Sequence, residues 1–264
     1  MKSDFDMIVR RFDGDICIYP IADVHFGSID HDEKGWSAFC SRIKDEENAF
    51  LILNGDMIQN DTRNSVGSPF EAICRPSEQK KRMVEYLAPI KDKILCITSG
   101  NHERRSLKDA DDDPAYDISC KLDLEEIYRQ NAAFLKLQLG HEAHGKGRPD
   151  VPKQTYILAV THGSGGGIYT GATVNRNERW GTAIDGADCV IVGHTHKGAI
   201  TRPAKIQIDA RNNFVNITDY LVMSCVSWQK YGGYPLQKMM IPSATSKPQR
   251  LYLSQGKKEI SILW

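Results

Sequence analysis

At 264 residues with 41% hydrophobic and 26% charged side chains, the chain can bury a sizeable core and sits near the upper size of one compact domain, so one elaborated domain over residues 1–264 is expected. Its 34 basic residues balance 34 acidic ones, which excludes a global charge drawing the chain to nucleic acid or membrane and leaves only local basic surfaces for that purpose. Seven cysteines with no Cys-x-x-Cys pair argue against a disulfide framework or a zinc–thiolate site. With no signal-like N-terminal apolar core and no run of about 18 apolar residues, a cytoplasmic chain with no membrane partner is expected.

Taken in order, Ile16 to Ala22 is β-rich and ends at Asp23, so Asp23 and His25 are expected on the loop after the first core strand. Two apart in extended backbone, they would point the same way. Trp36, Phe39, Cys40 and Ile43 recur at helical spacing between Glu33 and Glu46, and Ala49 to Asn54 follows as a buried strand ending at Gly55-Asp56. The turn-rich stretch from Met57 to Pro76 should lie over the strand ends and shape a substrate mouth. Ser77 is placed to cap a helix through Met83, Val84 and Leu87, after which Ile94 to Thr98 opens into Gly100-Asn101-His102-Glu103. Two successive strand-helix-strand units imply parallel neighbours with right-handed crossovers.

Beyond Arg104-Arg105, the acidic run Asp109 to Asp113 is expected as a solvated loop and Pro114 to Leu122 as a short helix. Leu135, Leu137 and Leu139 alternate as in a half-buried strand, and Gly140 to Pro152 reads as a surface loop. His141 and His144 on that loop, and His31 earlier, are expected to be exposed and without a role. Tyr156 to Val160 is a strand leading to Thr161-His162-Gly163. The glycines of Ser164-Gly165-Gly166-Gly167 would let backbone approach a phosphate, although the run is neither a Walker nor a dinucleotide fingerprint. A helix over about 173–185 carries Arg176 and Arg179, and Cys189 to Val192 runs straight into Gly193-His194-Thr195-His196. Short, mostly antiparallel strands fill the rest of the chain.

Five polar clusters thus follow five apolar β-type runs, at the edge where open α/β sheets gather ligands. Two aspartates, one asparagine and four histidines give an oxygen and nitrogen ligand set with no thiolate, which suits Mn, Fe or Zn in a reactive role. Seven ligands exceed one ion. A bridging carboxylate would divide them into two sites roughly 3.5–4 Å apart, the spacing used for hydrolysis at phosphorus.

In this order, Asp23-x-His25, Gly55-Asp56, Gly100-Asn101-His102-Glu103, His162-Gly163 and Gly193-His194-x-His196 resemble the five blocks of the calcineurin-like metallophosphoesterase superfamily. The resemblance implies a four-layer α/β/β/α sandwich of two mixed sheets flanked by helices, with a dimetal site at one end. It implies that Asp23, His25 and His196 hold one divalent ion, that Asn101, His162 and His194 hold the other, and that Asp56 bridges them. A metal-bridging hydroxide would attack phosphorus in line, with protonated His102 beside the scissile ester. One departure stands out: many phosphatases of the superfamily carry a second aspartate three residues after the bridging one, and here that position is Gln59. A neutral partner should leave His102 less biased toward its cation.

The activity expected is hydrolysis of a phosphodiester in a nucleic acid or a nucleotide. Mn is the first choice of cofactor, with Fe or Zn as alternatives, and Arg63, Arg104, Arg105, Arg176 and Arg179 are candidate phosphate contacts. Two alternatives stand beside it: a phosphomonoesterase acting on a small molecule or phosphoprotein, and a non-catalytic scaffold binding partners through Trp228, Tyr231, Tyr234 and Trp264.

Overall fold

The structure is a computed structural model that describes residues 2–65, 69–142, 151–167, 169–233, 236, 239 and 241–263. Strand β1 (Ile8–Phe12) and β2 (Ile16–Ile21) are followed by helix α1 (Glu33–Asp45), β3 (Ala49–Asn54), α2 (Pro76–Leu87) and β4 (Ile94–Thr98). Next come α3 (Glu103–Ala110), α4 (Pro114–Lys121), β5 (Tyr128–Arg129), β6 (Ala132–Glu142), β7 (Val151–Thr161), α5 (Thr170–Thr182) and β8 (Cys189–Val192). Short strands complete the chain: β9 (Ala199–Thr201), β10 (Ala204–Asp209), β11 (Phe214–Asp219), β12 (Leu221–Ser224), β13 (Arg250–Leu253) and β14 (Ile260–Leu263).

Two six-stranded mixed sheets result, ordered β14-β13-β2-β3-β4-β5 and β1-β6-β7-β8-β12-β9. In the first, β2, β3, β4 and β5 run parallel through the crossovers expected, and β13 pairs antiparallel with β2. Their inner faces meet in one core that joins Ile18, Leu51 and Ile97 to Leu137, Tyr156 and Leu158. Helices α1, α2 and α4 cover the outer face of the first sheet with Trp36, Ile43, Met83, Leu87 and Ile118, and α5 covers the second through Trp180 against Val190, Tyr220 and Val222. The layers are those the resemblance implies. No helix among the described residues is long and apolar enough to cross a membrane.

Several local expectations differ from the fold. Helix α2 starts at Pro76, not at a Ser77 cap, because proline at the first helical position has its φ preset and no N–H to satisfy. Strands β6 and β7 are each 11 residues long and pair antiparallel out to Glu142 and Val151, so the expected loop from Gly140 to Pro152 is shorter at both ends. His141 is exposed at the end of β6, and His144 lies outside the described residues, as do Tyr234 and Trp264. Helix α5 begins and ends three residues earlier than its spacing indicates. Of the acidic run, Asp109 belongs to α3, while Asp113 is buried, accepting from the Tyr116 N–H at 3.2 Å and from the Tyr128 hydroxyl at 2.5 Å. His31 is buried rather than exposed, its Nδ1–H donating to the Val24 carbonyl at 2.8 Å. The last third is mostly antiparallel, but β12 continues the second sheet parallel to β8.

Candidate metal centre

The five clusters do not lie along one sheet. Asp23, Asp56 and the Asn101-His102 pair leave the C-terminal ends of β2, β3 and β4 in the first sheet, while His162 and His194-x-His196 leave β7 and β8 in the second. They converge across the cleft between the two. Nor is the local backbone extended: φ is +55° at Asp23, +50° at His25, +52° at Asp56, +71° at His194 and +58° at His196. Left-handed conformation costs a non-glycine residue about 1–3 kcal/mol and persists where the surroundings overdetermine it. Five such residues at one point mark a place where geometry outranks local comfort.

The surroundings do overdetermine it. A Cβ on Gly55 would sit 2.6 Å from the Gly100 Cα, so the loops after β3 and β4 touch backbone to backbone. The fully buried Glu103 carboxylate ties them together, accepting N–H bonds from Asp56 at 2.9 Å, Met57 at 2.7 Å, Ile58 at 3.3 Å and Gly100 at 2.9 Å.

Each aspartate is held by one oxygen and offers the other. Asp23 Oδ2 accepts from the His194 N–H at 2.9 Å, and Asp56 Oδ1 accepts from the His102 N–H at 2.8 Å. Asp56 Oδ2 faces Nε2 of His162 at 3.2 Å and Nε2 of His25 and His102 at 3.9 Å. Asp23 Oδ1 lies 3.2 Å from His196 Nε2 and is buried without a hydrogen bond.

The imidazoles are oriented from behind. His25 Nδ1–H donates to Gln59 Oε1 at 3.1 Å and His162 Nδ1–H to the Asn54 carbonyl at 2.7 Å, so both turn Nε2 inward. His194 Nδ1 lies 2.6 Å from Asn101 Oδ1, and His162 Nε2 lies 3.1 Å from the same oxygen. Three overlapping groups of donors emerge, Asp23 with His25 and His196, His25 with Asp56 and His102, and Asp56 with His162 and His194, the atoms of each within 4.8 Å of one another.

This arrangement fits cations. His25 Nε2 and His196 Nε2 stand 3.0 Å apart, and the buried Asp23 Oδ1 has no donor, a collection of lone pairs that is unfavourable until something positive lies between them. Protons fill that need in part. Burial works against a His162 cation, but Asp56, directly and by hydrogen bond, and then Asp23 carry its pKa up to about 10. Burial is also the first influence on Asp56 and opposes its charge, yet His162, His102 and His25 hold that carboxyl well below the usual range. His25 and His194 are pushed the other way, by burial first and by neighbouring imidazoles second. With oxygen and nitrogen donors and no thiolate, the set suits Mn, Fe or Zn.

His102 stands beside this centre. Its Nδ1–H donates to the backbone carbonyl of Gln59 at 2.7 Å, and its Nε2 accepts from Arg105 at 2.9 Å. The side chain of Gln59 serves His25, so the substitution at this position does not act on His102 as expected. Burial lowers the His102 pKa and the Arg105 charge lowers it further, against Asp56. Arg105 is in turn held by Asp61 at 2.6 Å. Among the other arginines, Arg104 turns toward the carbonyls of Ser99 and Gln130 at 3.4 and 3.2 Å, Arg63 and Arg179 are exposed, and Arg176 lies against Gly165 on the loop after β7. Lys197, buried next to His196, was not singled out by any motif; its Nζ donates to the Gly167 carbonyl at 2.5 Å. A groove opens beside His196 and Lys197, lined also by Thr195, Ser227, Gln229 and Lys230.

Comparison with known proteins agrees with this arrangement. The sequence model described as calcineurin-like phosphoesterase matches residues 18–198, and no curated protein is a significant match. Among solved structures, a predicted phosphoesterase from Streptococcus pneumoniae TIGR4 is 11% identical over 94% of this chain and 97% of its own, with a TM-score of 0.37. A metallophosphoesterase from Sphaerobacter thermophilus is 14% identical over 94% of this chain and 87% of its own, with a TM-score of 0.42. Those likenesses carry no argument by themselves; the match over residues 18–198 spans all five clusters and more than half of the sequence. The chain belongs to the calcineurin-like phosphoesterase family.

Proposed function

We propose that this chain, acting as one domain, hydrolyses a phosphodiester in a nucleic acid or a nucleotide with the help of two divalent ions. Asp23, His25 and His196 would hold one ion, Asn101, His162 and His194 would hold the other, and Asp56 would be shared between them. Mn is the first choice of metal, with Fe or Zn as alternatives. Such a pair supplies charge neutralisation at the phosphate and a nucleophile at neutral pH. The observation that carries the reading is the buried Asp23 Oδ1, which has no hydrogen bond yet faces His196 Nε2 at 3.2 Å.

The remaining residues orient and neutralise. Gln59 and Asn54 fix the tautomers of His25 and His162 so that both present Nε2. The His102 backbone N–H holds Asp56 Oδ1, so the carboxylate is tied to the loop that carries the imidazole. Because His102 Nε2 accepts from Arg105 in the neutral ring, the cation next to the ester is the Arg105 guanidinium; for His102 to serve as the acid, Arg105 would first shift onto the phosphate and Nε2 would take up a proton from solvent, which it would then pass to the leaving oxygen. Asp61 offsets much of the Arg105 charge, which supports a singly charged diester over a doubly charged monoester.

The test is a comparison of bis-p-nitrophenyl phosphate with p-nitrophenyl phosphate using the Mn-loaded chain. A diester preference of tenfold or more is expected. A monoester preference would assign the chain to phosphomonoester hydrolysis, and two bound metals with no turnover of either would leave a binding scaffold.

A further inference from the structure

The loop Ser164–Gly167 has no part in the reaction described above, yet it leaves the same strand end as His162. Its first three residues are exposed, and φ is +83° at Gly163 and +77° at Gly165. No N–H from Ser164 to Gly167 donates a hydrogen bond among the described residues. Four N–H groups of one short turn are therefore without an acceptor among the described residues.

Two cations flank that turn. Arg176, on α5, approaches so closely that a Cβ on Gly165 would lie 2.8 Å from its Nη1. Its Nη2 is buried with no hydrogen-bond partner, and no carboxylate among the described residues pairs with it. On the other side Lys197, only 4% exposed, reaches the Gly167 carbonyl and lines the groove that contains His196. Burial and then the Arg176 charge work against the Lys197 ammonium, so the two cations sense each other. A buried guanidinium nitrogen without an acceptor, a second cation beside it and a row of open N–H groups together make an anion receptor.

We propose that Arg176, Lys197 and the Ser164–Gly167 backbone form a second anion subsite that takes a phosphate adjacent to the scissile one. It rests on the phosphodiesterase reading and narrows it: the preferred substrate is a phosphodiester flanked by another phosphate, as in a nucleic-acid strand. Lys197 follows His196 directly and lines the same groove, which sets the subsite beside the metal centre, where it would take the phosphate that neighbours the scissile one. Glycine suits position 165 because its φ is +77° and because a Cβ there would push the Arg176 guanidinium aside.

The experiment uses the Mn-loaded chain and a thymidine dinucleotide that is bare, 5′-phosphorylated or 3′-phosphorylated. For one of the phosphorylated forms kcat/KM should exceed that of the bare dinucleotide at least tenfold, with the gain in KM. Arg176→Gln should shrink that preference to less than twofold, and Arg176→Lys should keep part of it. Absence of any preference in the wild type, or its survival in Arg176→Gln, overturns the subsite. Binding is read separately on the metal-free chain, where inorganic phosphate should raise the melting temperature of the wild type and not of Arg176→Gln; an equal rise in both overturns the proposal. Failure to hydrolyse any diester would reject the phosphodiesterase reading, while the phosphate-induced shift would still decide the subsite.

Discussion

Asp56 carries two duties on two oxygens. Oδ1 is fixed by the His102 N–H, and Oδ2 looks toward three imidazoles. Asp56→Asn keeps the shape but puts a neutral amide where the proposed bridge calls for a shared anion, so bound metal should fall from two equivalents to one or fewer, with kcat down at least a hundredfold. Elemental analysis beside a rate assay reads both, and full activity with two metals would remove Asp56 from the bridge. Gln59 acts at one remove. By accepting the His25 Nδ1–H it selects the tautomer that presents Nε2, so Gln59→Leu should weaken metal affinity about 10- to 100-fold, the usual cost of losing such a partner. Gln59→Glu should restore most of it, since a carboxylate accepts the same N–H. Loss of kcat in Gln59→Leu at saturating metal would place Gln59 in the reaction itself.

Glu103 belongs to the scale of elements, because it joins the loop after β3 to the loop after β4. Four backbone N–H groups converge on its two oxygens, and Glu103→Gln must turn an amide N–H against at least one of them. An unmet buried donor costs about 1–3 kcal/mol and a charge-assisted bond is worth more than a neutral one, so a loss of roughly 2–4 kcal/mol in chemical denaturation is expected. A change below about 1 kcal/mol would mean that those N–H groups find other acceptors.

The same element shows what was readable beforehand. The strand ends that carry Asp23, Asp56, Asn101, His162 and His194 were legible because each follows an apolar run, and buried parallel strands have that signature. Strand β1 was not, since only Ile8 of Ile8–Phe12 is buried and the rest owes its order to pairing with β6. The left-handed backbone at Asp23 and His25 was equally hidden, as were Gln59 behind His25, Asn54 behind His162 and Asp61 behind Arg105. Such contacts depend on how two loops dock, which side-chain periodicity does not encode. The five blocks therefore announced a metal site but not the residues that aim it.

For the whole molecule, the decisive fact is that neither sheet holds the centre alone. Asp23, Asp56 and Asn101 come from one and His162, His194 and His196 from the other, so ions held between them as proposed would act as a clasp on the sandwich. Binding to the folded chain alone stabilises it by about 2.7 kcal/mol when free ligand is a hundred times Kd. If His162 holds an ion as proposed, that gain depends on pH, because the ion would compete with the proton on His162. His25 and His194 have lowered pKa values and are neutral near pH 7, whereas His162 is raised to about 10. A raised folded pKa contributes stability that is complete below the unfolded value of about 6.5 and is lost as pH climbs toward 10. The metal-free chain should therefore lose His162's contribution over that interval. Metal binding, which expels the proton, should tighten about tenfold per pH unit between 7 and 9. Calorimetric titration of Mn in buffers of different ionisation enthalpy should find about one proton released per chain at pH 7.5, and His162→Gln should abolish the release. An affinity that stays flat from pH 7 to 9 would show that metal binding expels no proton from His162.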